Sequence, residues 1–167
     1  MDRMWAPWRK AYIRPRAKKS KKCLFCSVRK RVGKSHHFII ARSSSSFAIL
    51  NIYPYNNGHV MVVPNRHLRR IREMTKAEKL DWLELTEDVI GAIEKTMRPH
   101  GFNLGINLGR AGGAGIPGHL HFHVVPRWEG DSNFMPILGG TKVISESLES
   151  VYQNLKKEIR KRKSYRV

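Results

Sequence analysis

Cysteine is nearly absent: two residues in 167 are too few for the disulfide framework of a small secreted scaffold. Long apolar runs are missing as well, and without roughly 18 consecutive apolar residues no helix spans a membrane. The opening Met1-Asp2-Arg3-Met4-Trp5 lacks the apolar core of a secretory leader. Together these absences predict a cytoplasmic chain with no membrane partner. Acidic residues are the third scarcity, 13 Asp and Glu against 32 Lys and Arg, a formal net charge of +19. The imbalance is local. Residues 1–72 hold 18 basic residues against the single acid Asp2, residues 73–155 hold 7 basic and 11 acidic, and residues 156–167 hold 7 basic against Glu158. A field of this sign favours polyanions such as nucleotides, polyphosphates or nucleic acid, although runs such as Lys18-Lys19-Ser20-Lys21-Lys22 also occur as solvated tails.

What is present is the composition of a globular domain, 41% hydrophobic and 27% charged, and the length suits one domain. Residues 1–22 are basic and interrupted by Pro7 and Pro15, yet Trp5, Trp8, Tyr12 and Ile13 are too apolar for a free tail. We expect this segment to pack on a single domain over 23–167 that ends in a basic tail. Phe38–Ala41, Phe47–Ile52 and His59–Val63 read as strands, separated by the polar turn Ser43–Ser46 and the turn Pro54–Gly58. A helix is predicted from about Thr75 to Met97, with Thr75 and Glu78 as a capping box and Pro99 as the stop. Its inward stripe is read as Leu80, Leu83, Ile90, Ile93 and Met97, widened by Trp82, Leu85 and Val89. Residues 102–109 alternate, placing Phe102, Leu104, Ile106 and Leu108 on an apolar back and Asn103, Gly105, Asn107 and Gly109 on an open front. A Gly-rich loop, a strand over His119–Val125 and a last helix over roughly Ser147–Lys161 complete an α+β domain, with Leu148, Val151, Leu155 and Ile159 facing inward.

The stretch His119-Leu120-His121-Phe122-His123 carries the most chemistry. Period-two alternation puts three of the chain's 8 histidines on one face and Leu120, Phe122 and Val124 on the core side. Three imidazoles on one face could be a metal site or a packed cluster. The preceding Arg110-Ala111-Gly112-Gly113-Ala114-Gly115, with its scarcity of side chains, instead suits close backbone approach to an anion. Cys23-Leu24-Phe25-Cys26 has the spacing by which two thiolates grip one ion; the competing redox dithiol would want a thioredoxin-like βαβ context that is absent.

The alternating histidines, with Asn51, Gly58-His59-Val60 and the Asn107–His119 segment, resemble the histidine triad (HIT) superfamily of nucleotide hydrolases and transferases over roughly residues 23–128. Met4-Trp5-Ala6-Pro7-Trp8-Arg9, Tyr53-Pro54-Tyr55 and Pro126-Arg127-Trp128 are similar to the prokaryotic branch that includes diadenosine tetraphosphate phosphorylases. The resemblance implies a HIT-like fold, an antiparallel sheet with a long helix and a C-terminal helix, forming homodimers through the long helix and an extended sheet. Trp82 and Leu85 are the candidate interface residues, with intramolecular core as their alternative. It implies cleavage at the α-phosphate of a dinucleoside polyphosphate or related nucleotide, adenine likeliest, through a covalent nucleotidyl-histidine. The acceptor is water, phosphate or another nucleophile, so a phosphorylase or sugar-nucleotide transferase is an alternative, and a basic nucleic-acid-binding module is the reading of a different class.

The same resemblance assigns roles. His121 is the nucleophile and His123 bonds the phosphate or the leaving oxygen. Asn107 and the amides near Gly113 and Gly115 stabilise non-bridging oxygens. Asn51 holds the ribose, Ile49 and Met61 flank the base, and His59 supports the nucleophile strand. Core packing is the alternative for Ile49 and Met61, and a hydrogen-bonded histidine at a turn exit is the alternative for His59. The family often has a serine or threonine in the loop; Ala114-Gly115-Ile116-Pro117 has neither, so a backbone amide must replace a hydroxyl contact. Zinc-bearing members imply that His67 and His119 join Cys23 and Cys26 around a structural Zn2+, with no cofactor needed for the chemistry.

Overall fold

The computed structural model describes residues 22–30, 38–131 and 146–162. In chain order, α1 spans Leu24–Lys30, β1 Ile39–Arg42, β2 Ser46–Leu50, β3 Val60–Pro64, α2 Lys76–Met97, β4 Gly101–Ile106, β5 Phe122–Arg127 and α3 Leu148–Arg162. The strands form one antiparallel sheet ordered β1-β2-β3-β5-β4. With helices beside that sheet, the fold is α+β, as expected. Among the described residues no helix is long and apolar enough to cross a membrane. Trp5, Trp8, Tyr12 and Ile13 lie outside the described residues.

Alternation along each strand sorts side chains onto two faces. Leu50, Val60, Val62 and Val124 face α2 and α3 and bury themselves with Leu85, Ile93, Leu155 and Ile159. Phe47, Ile49 and Val63 point the other way, where α1 lays Phe25 over them. Ile49 pairs with Met61, Met61 with His123, and His123 with Gly105, so this second face is the one that carries the histidines.

The ends of α2 follow their sequence signals. Thr75 caps the first turn in a reciprocal box with Glu78, and Arg98 turns left-handed (φ 48°) ahead of Pro99, which disfavours the α region for the residue before it. Its buried face differs from the expected one. Trp82, Leu85, Thr86, Val89, Ala92 and Ile93 are buried, whereas Leu80 and Leu83 are 60% and 54% exposed. The Trp82 indole N–H donates to the Val62 carbonyl at 2.9 Å, fixing that face on the sheet. Trp82 and Leu85 are therefore intramolecular core rather than interface. Asp81, beside them, accepts from the hydroxyls of Ser43, Ser44 and Ser45 and ties the polar turn to the helix.

β4 also differs: it stops at Ile106, and Leu104 and Leu108 are 49% and 54% exposed rather than the back of a core strand. The cause is topological, since β4 is the end of the sheet. β5 starts at Phe122, later than expected, because the His119 N–H bonds the Ile116 carbonyl in a turn and the Leu120 N–H bonds the Leu68 carbonyl. Helix α1 was not anticipated from sequence, and α3 buries Tyr152 besides Val151, Leu155 and Ile159.

Truncating Leu85 to alanine leaves a cavity between α2 and the sheet and should lower the unfolding free energy by roughly 2–5 kcal/mol. Glu87→Ala on the exposed side should stay within about 0.5 kcal/mol of the parent. Urea denaturation reads both, and equal effects would contradict the assigned face.

Candidate active site and metal centre

The three alternating histidines sit together, all buried. The His121 and His123 rings are 4.9 Å apart in an edge-to-face arrangement. His121 Nδ1 lies 2.8 Å from the main-chain oxygen of His119. A carbonyl only accepts, so Nδ1 carries the proton and Nε2 keeps its lone pair. Phe25 packs against the same ring at 5.2 Å. Burial lowers the His121 pKa, partly opposed by that hydrogen bond.

A second chain of assignments fixes His123. The Tyr55 main-chain N–H donates to His59 Nδ1 at 3.0 Å, and the Asn51 side-chain amide approaches the same atom at 3.3 Å. His59 must then hold its proton on Nε2 and donate it to His123 Nδ1 at 2.9 Å. The remaining proton of His123 is on Nε2, which is buried and has no hydrogen-bond partner among the described residues. Desolvation, and then the neighbouring His121, push the His123 pKa down to about 4. It is neutral at physiological pH, with one N–H for which no other described residue supplies an acceptor.

The other expected residues are placed less uniformly. Met61 and Ile49 are neighbours beside His123 on the same face; Ile49 is packed into the smaller core cluster, while Met61 is only partly buried. Asn51 Oδ1 accepts the Tyr53 N–H, and its amide faces His59. Asn107 is the first residue beyond β4. Gly113 has φ 82°, which favours glycine, but its N–H donates to the Arg110 carbonyl and so serves the loop's own turn. A cavity of about 210 Å³ is bordered by Asn51, Gly58 and His59 and by Leu148 and Val151 of α3, and not by His121. In front of the imidazoles, space opens at Gly105 instead, where a Cβ would meet nothing within 4 Å. The sequence gives no site role to Phe25 or to the Tyr55 ring, whereas the alternation of residues 102–109 does put Gly105 on the open front.

Cys23, Cys26, His67 and His119 converge, their ligand atoms lying within 4.8 Å of one another. Sγ of Cys23 is 3.3 Å from His119 Nδ1, and Sγ of Cys26 is 3.4 and 3.6 Å from the Nδ1 atoms of His67 and His119. A tetrahedral ion with ordinary thiolate and imidazole bond lengths spaces sulfur and nitrogen by about 3.6 Å. The donors are also prepared. His119 Nε2–H bonds the Pro64 carbonyl at 2.9 Å, which leaves Nδ1 unprotonated toward the sulfurs. Arg66, next to His67, is clamped to Glu78 through Nε and a terminal nitrogen at 2.6 and 2.9 Å. Burial and the adjacent Cys23 push the Cys26 thiol up. The group can hold a metal ion. Purified protein should carry about one equivalent of divalent metal by elemental analysis, and Cys23→Ser/Cys26→Ser should carry none. Stoichiometric metal in the double variant would refute the site.

Residues 32–130 match the HIT domain. An AP-4-A phosphorylase of Mycobacterium tuberculosis is 38% identical over 165 residues, covering 95% of this chain and 84% of that protein. The asymmetrical bis(5'-nucleosyl)-tetraphosphatase of Schizosaccharomyces pombe is 33% identical over 93 residues, 56% of this chain and 50% of that one. In structure, a Zn-bound histidine triad family protein from Mycobacterium smegmatis superposes with a TM-score of 0.67 at 23% identity, covering 85% of this chain and 96% of that one. With His121 and His123 packed against each other at the start of β5 and the domain match spanning more than half its length, the chain belongs to the histidine triad family.

Proposed function

We propose that the protein is a nucleotidyl-transferring enzyme that cleaves dinucleoside polyphosphates at an α-phosphate, with inorganic phosphate as the acceptor. The observation that carries this reading is the complementary protonation of adjacent rings: a lone pair on His121 Nε2 beside an unpartnered N–H on His123 Nε2. His121 Nε2 bonds to the α-phosphorus while the bond from that phosphorus to the bridging oxygen breaks, expelling the remainder of the substrate. His123 Nε2–H meets the charge that grows on the phosphate or the leaving oxygen, and Asn107 and the Gly115 amide assist on the non-bridging oxygens. Phosphate then attacks the nucleotidyl-histidine and releases a nucleoside diphosphate with restoration of the imidazole. Asn51 is assigned to the ribose, and Met61 with Ile49 to one side of the base. The choice of phosphate over water, and of adenine, is supported by the phosphorylase relative, which aligns with almost the whole chain.

Zinc is the metal we assign to the Cys23, Cys26, His67 and His119 group, because two thiolates and two imidazoles fill a tetrahedral shell and leave no position for substrate. It would supply stability to the turn that holds His119, and the chemistry needs no cofactor. We also assign a homodimer through the edge of β4, a reading supported by the half-exposed Leu104 on the last strand of the sheet.

His121→Ala should keep the fold and lose about a thousandfold or more in turnover of diadenosine tetraphosphate. The parent should yield ATP and ADP when phosphate is present. Undiminished turnover in the variant removes the nucleophile; ATP and AMP with phosphate present would make the enzyme a hydrolase. Leu104→Glu should convert the sedimenting species from dimer to monomer at micromolar concentration, and a monomeric parent would contradict the dimer.

A further inference from the structure

Tyr55 has no part in the chemistry described so far, and its surroundings are unusual for a turn residue. It is 42% exposed, on the loop between β2 and β3. Its ring nevertheless lies nearly parallel to His123, 20° between planes and 5.6 Å between centroids, and 4.7 Å from His59. An exposed ring in contact with two buried imidazoles stands between them and solvent. The loop itself is seated. Asn56 Nδ2 donates to the Pro126 carbonyl at 3.0 Å and to Asp131 at 2.7 Å, and Asp131 is clamped by Arg127 through two contacts of 2.6 and 2.7 Å. Gly58 lies so near Met97 that a Cβ would come within 2.6 Å of its sulfur. The ring is thus delivered to a fixed place.

We propose that Tyr55 is a positioning residue: its ring covers the hydrogen bond from His59 to His123 and holds the His123 imidazole with Nε2–H directed at the substrate's phosphate. The geometry supports this independently of which nucleotide is cleaved, while its effect on turnover rests on the function proposed above. Substrate would approach from the side of Gly105, which pairs with His123 and where a Cβ would meet nothing within 4 Å. The titratable groups facing His123 are His121 on its own segment, His59 at the entry to β3 and Tyr55; Met61 and Gly105, its neighbours in the sheet, are uncharged. The low pKa of His123 comes first from burial, so uncovering the ring should raise it.

Tyr55→Phe keeps the ring and Tyr55→Ala removes it. In the metal-loaded, full-length protein, NMR titration of the His123 ring, assigned by loss of its signals in His123→Asn, needs no substrate. Tyr55→Ala should raise that titration by about one unit or more, and Tyr55→Phe should match the parent. With diadenosine tetraphosphate and phosphate, Tyr55→Ala should lower kcat by about tenfold with KM within about twofold, and move the acid limb of the pH profile upward. An unchanged His123 titration in Tyr55→Ala overturns the proposal, as does a Tyr55→Phe variant that behaves like Tyr55→Ala. If the parent turns over no nucleotide, the proposed function fails while the titration still decides the role of Tyr55.

Discussion

The main-chain oxygen of His119 accepts the Nδ1 proton of His121, and the rest of the site is organised around that contact. It leaves the lone pair on the far nitrogen of a ring whose near side is already committed. The same residue directs its side chain the other way, with Nδ1 toward two cysteines and Nε2–H on the Pro64 carbonyl. One residue therefore joins the Cys2His2 group to the ring proposed as nucleophile. Main chain and side chain of His119 thus serve neighbouring tasks.

The second imidazole is prepared by a longer chain. A backbone N–H at Tyr55 decides the protonation of His59, His59 decides that of His123, and the last proton ends at a buried nitrogen with no partner among the described residues. Leaving a buried donor unsatisfied costs on the order of 1–3 kcal/mol, so such a group is expected where a ligand will satisfy it. A base-like nitrogen and a preset donor on adjacent rings are what transfer of a phosphorus-centred group requires. Because burial keeps His123 neutral down to about pH 4, the donor is present across the physiological range without being a cation.

Much of this was legible because period two is a strong signal. His121 packs against His123, and Cys23 and Cys26 gather with His67 and His119, as the sequence and its family resemblance imply, although β5 begins only at Phe122 and so leaves His119 and His121 ahead of the strand. Thr75, Glu78 and Pro99 mark the long helix to within a residue. What was not legible depends on tertiary partners. The apolar side of α2 admits two adjacent stripes, and packing of Leu85, Val89 and Ile93 in the core, with the bond from Trp82 to Val62, selects one of them. Leu104 alternates like a core residue but sits on the last strand of the sheet. Helix α1 is seven residues long, too short for a periodic signal, and is set by packing of Phe25. Gly113 was read as an anion-facing amide, yet its N–H is used within the loop.

The most direct measurement is chemical trapping of the intermediate. Parent protein mixed with labelled diadenosine tetraphosphate without phosphate, quenched within milliseconds and digested, should yield a peptide carrying a nucleotidyl group on His121. The adduct should disappear when phosphate is added as a chase. A nucleotidyl group on any other residue, or turnover with His121 never modified, would contradict the account at its centre.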